Sequence, residues 1–425
     1  MSEGALTVEK GRVQEPGGTG KFRLTWRLLL LGLGALVVLL SVVRVLTGAG
    51  DLTSAGAVNA AVALAVPIGL AGLGGLWSER AGVVNIGLEG MMIMGTWCGA
   101  WGAIHFANPW AGVVAGAVGG ALGGLLHAIA TVTFGVDHII SGVAITILGG
   151  GVTQFLSKIT FAEMPGGGDT QSPPVPKPGT VSLPGVSDAL TSLESKQWFL
   201  LSDLAGILRG LTTNVSLFTI LAILLVPVTF YVLWRTAFGL RLRACGERPV
   251  AAESLGVNVY YYKYVAVVVS GALAGLGGAF LSLVAASAYR EGQSGGRGFI
   301  GLAAMIFGNW RPGGLAAGAA LFGYTDALQL RRGGESVHAL LLLVAILIAG
   351  LAVYQLVRQH RTRAALITAV AAVAVFAVFA LTDTIAAQFT SVTPHITTLL
   401  VLSLAAQRLR PPAANGVPYR RGQAK

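Results

Sequence analysis

Long apolar runs separated by short, basic connections dominate the chain. A helix needs about 20 mostly apolar residues to cross the hydrocarbon of a bilayer. The runs Leu28–Leu46, Gly56–Trp77, Leu88–Ile104, Trp110–Thr133, Ile139–Leu156, Val215–Trp234 and Tyr264–Ala288 meet or approach that length. A short run, Phe299–Asn309, is followed by Gly313–Leu330, Val337–Val357, Ala364–Thr382 and Ile396–Leu409. The pattern predicts an all-α integral membrane protein of about 11–12 apolar segments. Residues 1–27 are polar, Gly-rich and basic, and are expected to form a disordered tail. A polytopic domain over 28–410 and a second tail, 411–425, are expected to follow. The amino-terminal stretch is a poor match to a cleaved signal peptide, which needs a shorter charged region and a small-residue cleavage site.

Basic residues choose an orientation. With the amino terminus in the cytoplasm, 20 of the 29 Lys and Arg fall on the inside and 9 outside, as the positive-inside rule requires. Counting spans puts the longest connection, 157–214, outside, with Trp198–Arg209 as a candidate interfacial helix. The loop 235–263 falls inside.

Composition agrees with a membrane class. Apolar residues make up 54% and charged residues 11%, against roughly a quarter charged in soluble domains. Sixty glycines without a three-residue period exclude collagen. The net charge of +11 sits in the connections rather than on one stripe, which argues against nucleic acid. Cys98 and Cys245 form no metal spacing and no disulfide framework.

One stretch breaks the counting. Phe299–Asn309 is too short to cross alone, and Asn309-Trp310-Arg311-Pro312 interrupts the apolar pattern. Both features predict a discontinuous hairpin, since polar, non-helical backbone survives at membrane depth only where protein or a water-filled cavity surrounds it. The chain also resembles itself. Ala71-Gly72-Leu73-Gly74-Gly75 recurs as Ala274-Gly275-Leu276-Gly277-Gly278, and Ile86-Gly87-Leu88 as Ile300-Gly301-Leu302. Pro109 with Ala115-Gly116-Ala117 is echoed by Pro312 with Ala317-Gly318-Ala319. The three offsets, 203, 214 and 202, share one order. In the orientation above, the first Ala-Gly-Leu-Gly-Gly descends and the second ascends, so the repeat is inverted, as in many transporters. Gly/Ala runs that serve only as packing surfaces are the alternative.

Catalytic signatures are missing. Gly17-Gly18-Thr19-Gly20-Lys21-Phe22 lacks the spacing and the hydroxyl residue of a P-loop, no zinc or nucleophile-elbow motif stands in a suitable context, and six histidines are scattered. No catalytic residue, metal site or cofactor is implied. Uphill transport would draw on a partner ATPase or an ion gradient. Glu89, Asp137 and Asp326 are the clearest acids at spans, each near a predicted end where capping is the plainer role.

The loop after the sixth span reads as a short helix between basic edges, with Pro249 at its first position and Gly256 as a left-handed stop. This loop and Ser270–Gly278 resemble the coupling region of bacterial ABC importer permeases, the branched-chain amino acid, simple-sugar and nucleoside group. Ser78-Glu79-Arg80-Ala81-Gly82-Val83-Val84-Asn85-Ile86-Gly87-Leu88-Glu89-Gly90-Met91-Met92 is similar to the signature of the nucleoside/simple-sugar subgroup. Asp137–Ile145, Gly298–Pro312, Leu321–Gly323 and the ending Pro412–Tyr419 match further blocks. Thr146 stands where the family block has an asparagine, and 337–382 looks like an insertion of two spans.

The resemblance implies a transport subunit, not an enzyme, in a bacterial plasma membrane. Its expected partners are cytoplasmic ATPase subunits, a second related permease, an extracytoplasmic binding lipoprotein and a small-molecule substrate. The ATPases would grip Glu247, Pro249, Ala251, Ala252, Glu253 and Gly256. Asn85 and Glu89, at i, i+4 spacing, are the expected substrate-path residues, with helix capping as their other reading. Asn309 and Trp310 on the hairpin complete the candidate path, Trp310 either stacking on a base or anchoring at the interface. A nucleoside is the expected cargo. A simple sugar and an ion-coupled secondary carrier are the alternatives, and a non-transporting scaffold is the weakest reading.

Overall fold

The computed structural model describes residues 26–183, 185–390 and 409–422. The expected last span, Ile396–Leu409, lies outside the described residues apart from Leu409, as do residues 1–25 of the amino-terminal tail. The fold is all-α, with one two-stranded ribbon, Thr180–Val181 (β1) paired antiparallel to Val215–Ser216 (β2). Eight helices are long and apolar enough to cross a membrane among the described residues.

Two triplets organise the molecule. The first comprises α2 (Ala55–Arg80), α3 (Leu88–His105) and α4 (Pro109–Ala128), after an opening helix α1 (Trp26–Thr47). A fifth helix, α5 (His138–Phe161), packs on α3. The connection that follows carries α6 (Val186–Ser195) and α7 (Leu201–Thr212) and leads into α8 (Leu217–Arg235). The helix expected at Trp198–Arg209 thus starts and ends three residues later. Two short helices, α9 (Ala237–Glu247) and α10 (Pro249–Ser254), turn the chain into the second triplet. That triplet is α11 (Val259–Phe280), α12 (Arg297–Phe307) and α13 (Pro312–Val357). Helices α14 (Thr362–Leu381) and α15 (Ala387–Thr390) complete the described order. The separate spans expected at Gly313–Leu330 and Val337–Val357 are joined in α13, broken by non-helical backbone at Arg332 and Gly333.

The triplets match in plan. In each, a long span carries Ala-Gly-Leu-Gly-Gly in its second half, a non-helical segment follows, then a helix, then a helix with proline at its first turn. Gly74 lies against Ser270 and Gly277 against Pro67, so α2 and α11 run antiparallel and the repeat is inverted. The glycines decide how close these helices come. A Cβ on Gly120 would stand 2.2 Å from the Gly271 carbonyl oxygen, and one on Gly271 would stand 2.3 Å from that of Gly120. Helices α4 and α11 are therefore in backbone contact, which only glycine allows.

The molecule has two polar faces. One carries Arg80, α9, α10, Trp310, Arg311 and the segment 409–422; we call it the near face. The far face carries the end of α1, the start of α2, α7 and the break in α13. There Arg44 pairs with Asp203 at 2.9 Å, Thr53 also bonds Asp203, and Asp51 lies 3.5 and 3.4 Å from Arg331 and Arg332.

Candidate functional site

At the near end of α2 the chain leaves the helix and re-enters the protein as Ala81–Gly87 before α3 begins. Backbone without helical hydrogen bonds at this depth must find partners elsewhere, and buried side chains supply them. Val84 N–H donates to His138 Nδ1 (3.2 Å), while His127 Nε2 bonds the Val84 carbonyl (2.9 Å). A carbonyl only accepts, so His127 carries its proton on Nε2 and its Nδ1 accepts from Ser141 (2.9 Å). Lys263 Nζ donates to the Gly82 carbonyl at 3.4 Å. Two imidazoles and an ammonium from three spans thus clamp one loop.

Asn85 stands in this loop, fully buried. Its amide Nδ2 donates to Ser270 Oγ on α11 (2.9 Å), and its Oδ1 finds no donor among the described residues. The i, i+4 argument that paired Asn85 with Glu89 therefore fails: α3 starts at Leu88, so the two residues share no helix face. Their side chains turn to different partners. Glu89, 5% exposed, accepts from the N–H groups of Gly296 (2.9 Å) and Gly298 (2.7 Å) at the start of α12. The N-cap residue of α12 is Gly296, which has no side chain to cap with. Glu89 supplies the missing cap from another helix while sitting in the first turn of its own. One carboxylate thus answers the positive ends of two helices. Beside it, Arg297 pairs with Asp326 on α13 at 3.0 Å. Asp137, the third acid singled out from the sequence, caps α5 through Ile139 N–H (2.8 Å) and Ile140 N–H (3.1 Å).

Asn309 and Trp310 lie on the near face, at the turn between α12 and α13, both with φ +52°. Trp310 is 5% exposed, and its ring is part of the apolar core. Its indole N–H donates to Glu79 (2.6 Å), and its carbonyl accepts from Arg80 (2.6 and 3.1 Å). Asn309 Oδ1 accepts from Arg410 N–H at 2.8 Å. The four expected path residues thus fall into two groups, Asn85 and Glu89 at the start of α3 and Asn309 and Trp310 at the near ends of α2 and α12.

The loop 235–263 contains the expected short helix. Pro249 is the first residue of α10, and Gly256 has φ +79°. Val250, Ala251, Ser254 and Leu255 are exposed, Leu255 by 84%, while Ala252 is buried and Pro249 half-buried. The two acids of the set are engaged. Glu247 accepts from Ala413 N–H (3.2 Å), and Glu253 lies 3.5 Å from Arg421. Cys245, on α9, is buried, and burial pushes its thiol up to about 11.

Sequence reasoning singled out neither Glu79 nor Asn415, whose Nδ2 donates to Glu79 Oε2 at 2.9 Å. It also passed over His127, His138 and Lys263, and charged or aromatic side chains inside apolar runs were the available signal. Three cavities lie along the flank of α2, α8 and α13. An apolar groove of about 390 Å³ runs past Val58, Leu73, Leu211 and Leu315. A far-face pocket of about 290 Å³ is edged by Asn59, Lys177, Thr180 and Asn214, and a recess of about 620 Å³ lies at Phe230, Trp234 and Arg311. No group of three His, Cys, Asp or Glu is placed to hold a metal among the described residues.

Inverted triplets, re-entrant segments at the start of α3 and α12, and a short helix held out on one face define a multi-pass membrane transport subunit. The branched-chain amino acid transport system permease component family matches residues 57–351, and the chain belongs to that family. It is similar to the guanosine ABC transporter permease of Bacillus subtilis, 35% identical over 280 residues, 64% of this chain and 81% of that protein. The nucleoside ABC transporter permease of Lactococcus lactis is 34% identical over 275 residues, 62% of this chain and 78% of its own length. A putative glucose ABC transporter permease of Haloferax volcanii is 37% identical over 278 residues, 65% and 78% of the two chains. No solved structure matches.

Proposed function

We propose that this permease carries nucleosides into the cytoplasm as the membrane subunit of an ABC importer, driven by ATP hydrolysed on separate ATPase subunits. The observation that carries the reading is the pair of guanosine- and nucleoside-named relatives, each matched over more than three quarters of its length. The exposed face of α10 supports it, because a short helix with small and apolar side chains in the open suits a groove on a partner. In this reading the near face is cytoplasmic, and so is the amino terminus, since α1 ends on the far face. The segment 157–214 then meets an extracytoplasmic binding lipoprotein. A second, related permease completes the membrane pair, and 337–382 is an added pair of spans.

For the path, Asn85 and Glu89 have different jobs. Asn85 Oδ1 is the open acceptor, able to bond a base N–H or a ribose hydroxyl. Glu89 holds α3 against α12 and so sets the width of the passage. Asn309 and Trp310 close its cytoplasmic end. A simple sugar is the second reading, favoured by the glucose-named relative and by the hydroxyls that ribose and glucose share.

Uptake of radiolabelled guanosine, uridine, ribose and glucose by cells, with and without ATP depletion under a maintained proton gradient, tests the proposal. ATP-dependent nucleoside uptake that is lost in Glu253→Arg is expected. Uptake of sugar alone would overturn the cargo, and uptake that follows the gradient and ignores ATP would overturn the ABC mechanism.

A further inference from the structure

The segment 409–422 crosses the near face and binds the ends of α2, α9, α10 and α11 and the α12–α13 turn. Arg410 N–H donates to Asn309 Oδ1 on the α12–α13 turn (2.8 Å). Ala413 N–H reaches the Glu247 carboxylate (3.2 Å), and Ala414 N–H the Gly246 carbonyl (2.9 Å), both at the end of α9. Asn415 Nδ2 donates to Glu79 on α2, and Gly416 N–H to the Gly82 carbonyl of the re-entrant loop (3.3 Å). Further on, Tyr419 packs against Tyr260 of α11 with ring centroids 5.5 Å apart. Arg421 and Gly422 N–H then reach Glu253 of α10, each at 3.5 Å.

These contacts are close backbone packing rather than a loose cover. A Cβ on Gly246 would stand 2.2 Å from the Arg80 carbonyl oxygen, and one on Gly82 would stand 3.1 Å from that of Ala414. The end of α2, the end of α9 and the tail are therefore stacked in direct contact. The segment joins α10 to the near ends of both triplets, through Glu253 at one end and Glu79 and Asn309 at the other. Helix α9 also meets α2 directly, with Phe238 against Trp77 (ring centroids 6.3 Å apart) and Gly246 on the Arg80 carbonyl, so the tail adds a second connection that also reaches Glu253 of α10. Asn415 is the hub, because Glu79 Oε2 receives both its amide and the indole of Trp310.

We propose that residues 409–422 are a positioning strap for energy coupling, with Asn415 as its central positioning residue, transmitting displacement of α10 to the near ends of the two triplets. The inference rests on the permease reading above. It assigns to the tail a mechanical link between the helix that an ATPase would move and the Glu79–Trp310 closure.

The test uses the whole transporter in proteoliposomes, with its ATPase, second permease and binding protein. Three variants are compared with the parent: Asn415→Asp, the double variant Asn415→Asp with Glu79→Gln, and a chain ending at Pro412. Asn415→Asp sets two carboxylates face to face, and the double variant restores a donor opposite an acceptor for that pair, the Trp310 indole turning to the remaining amide oxygen. ATPase co-purification, ATP hydrolysis and uptake are read together. Asn415→Asp is expected to keep its ATPase and its hydrolysis, to lose uptake about tenfold, and to raise the ATP spent per substrate by a similar factor. The double variant should recover most of the uptake, and the truncated chain should hydrolyse ATP without transport. An unchanged ATP-to-substrate ratio in both Asn415→Asp and the truncated chain would overturn the strap. So would loss of the ATPase from the complex in step with loss of uptake, which would make the tail a docking surface. If the parent complex shows no ATP-dependent uptake of any nucleoside or sugar, the permease reading fails, whatever the tail does.

Discussion

The two re-entrant segments, Ala81–Gly87 and Ala286–Gly296, occupy equivalent places in the inverted triplets and are held by opposite means. The first is clamped from within by His127, His138, Lys263 and Ser270, all on neighbouring spans. The second is held from the far face. Ser172 N–H donates to the Tyr289 carbonyl and Tyr289 N–H to Ser172 Oγ, Val175 N–H to Ser287, and Glu291 N–H to Thr170. At depth it is tethered by Glu89 and by Arg297, which bonds the Gln293 and Ser294 carbonyls and pairs with Asp326 of α13. The offset of 214 puts Ala303 opposite Glu89, so no carboxylate returns the cap to α3. Repetition preserved the helices and their small-residue contacts, while the polar tethers differ between the halves. The pseudosymmetric scaffold thus carries two segments with different polar tethers.

The largest effect should come from removing the shared tether. Glu89→Ala strands the buried Gly298 N–H and the part-buried Gly296 N–H at the start of α12, and should cost roughly 2–4 kcal/mol by thermal unfolding in detergent. Glu89→Gln keeps one acceptor and should lose about half of that. Equal, small losses would show that α12 does not depend on its cap from α3. Gly298→Ala comes next. Its Cβ would stand 2.6 Å from Glu89 Cα, and forcing the helices apart should cost about 1–3 kcal/mol with uptake falling at normal expression.

Breaking one tether of each loop sharpens the contrast. His138→Ala frees the part-buried Val84 N–H and empties a buried ring site, and should cost about 1–3 kcal/mol. Ser172→Ala, at the edge of the second segment, strands the buried Tyr289 N–H and should cost about 1–3 kcal/mol while leaving transport near normal. Transport lost equally in both variants would overturn the contrast.

The smallest effect is one of reactivity. With its thiol pushed up to about 11, Cys245 has about 1% thiolate at pH 9 and less at neutral pH. It should resist maleimide in the native protein across pH 7 to 9, whereas Glu291→Cys on the far face should label within minutes. Rapid labelling of Cys245 would mean that the near face opens there.

Much of the scaffold was legible because it rests on local rules. Apolar length placed the spans, Pro249 and Gly256 bounded α10 through their own backbone preferences, and the echoed Ala-Gly-Leu-Gly-Gly marked the two central helices. Residues Asn85 and Glu89 were read as helix neighbours, because spacing carries no sign that the helix starts between them. Trp310 looked free to stack, and its pairing with Glu79 joins residues 231 positions apart. The tail was legible as a resemblance, but nothing in Pro412–Tyr419 says what it binds.

By itself, the sequence determined the all-α membrane class, the number and order of most spans, the inverted plan and the family. The class and the spans follow from composition, periodicity and local backbone preference, which act within a few turns of chain. The inverted plan follows from the repeated motifs, and the family from the resemblance of its motif blocks. Tertiary structure alone decided that Glu89 caps a helix 207 residues away, that two histidines hold a loop, and that the tail ties α10 to both triplets. Those are matters of which buried polar group meets which partner. Away from water every such group must be paired, and only the packed fold brings the partners together.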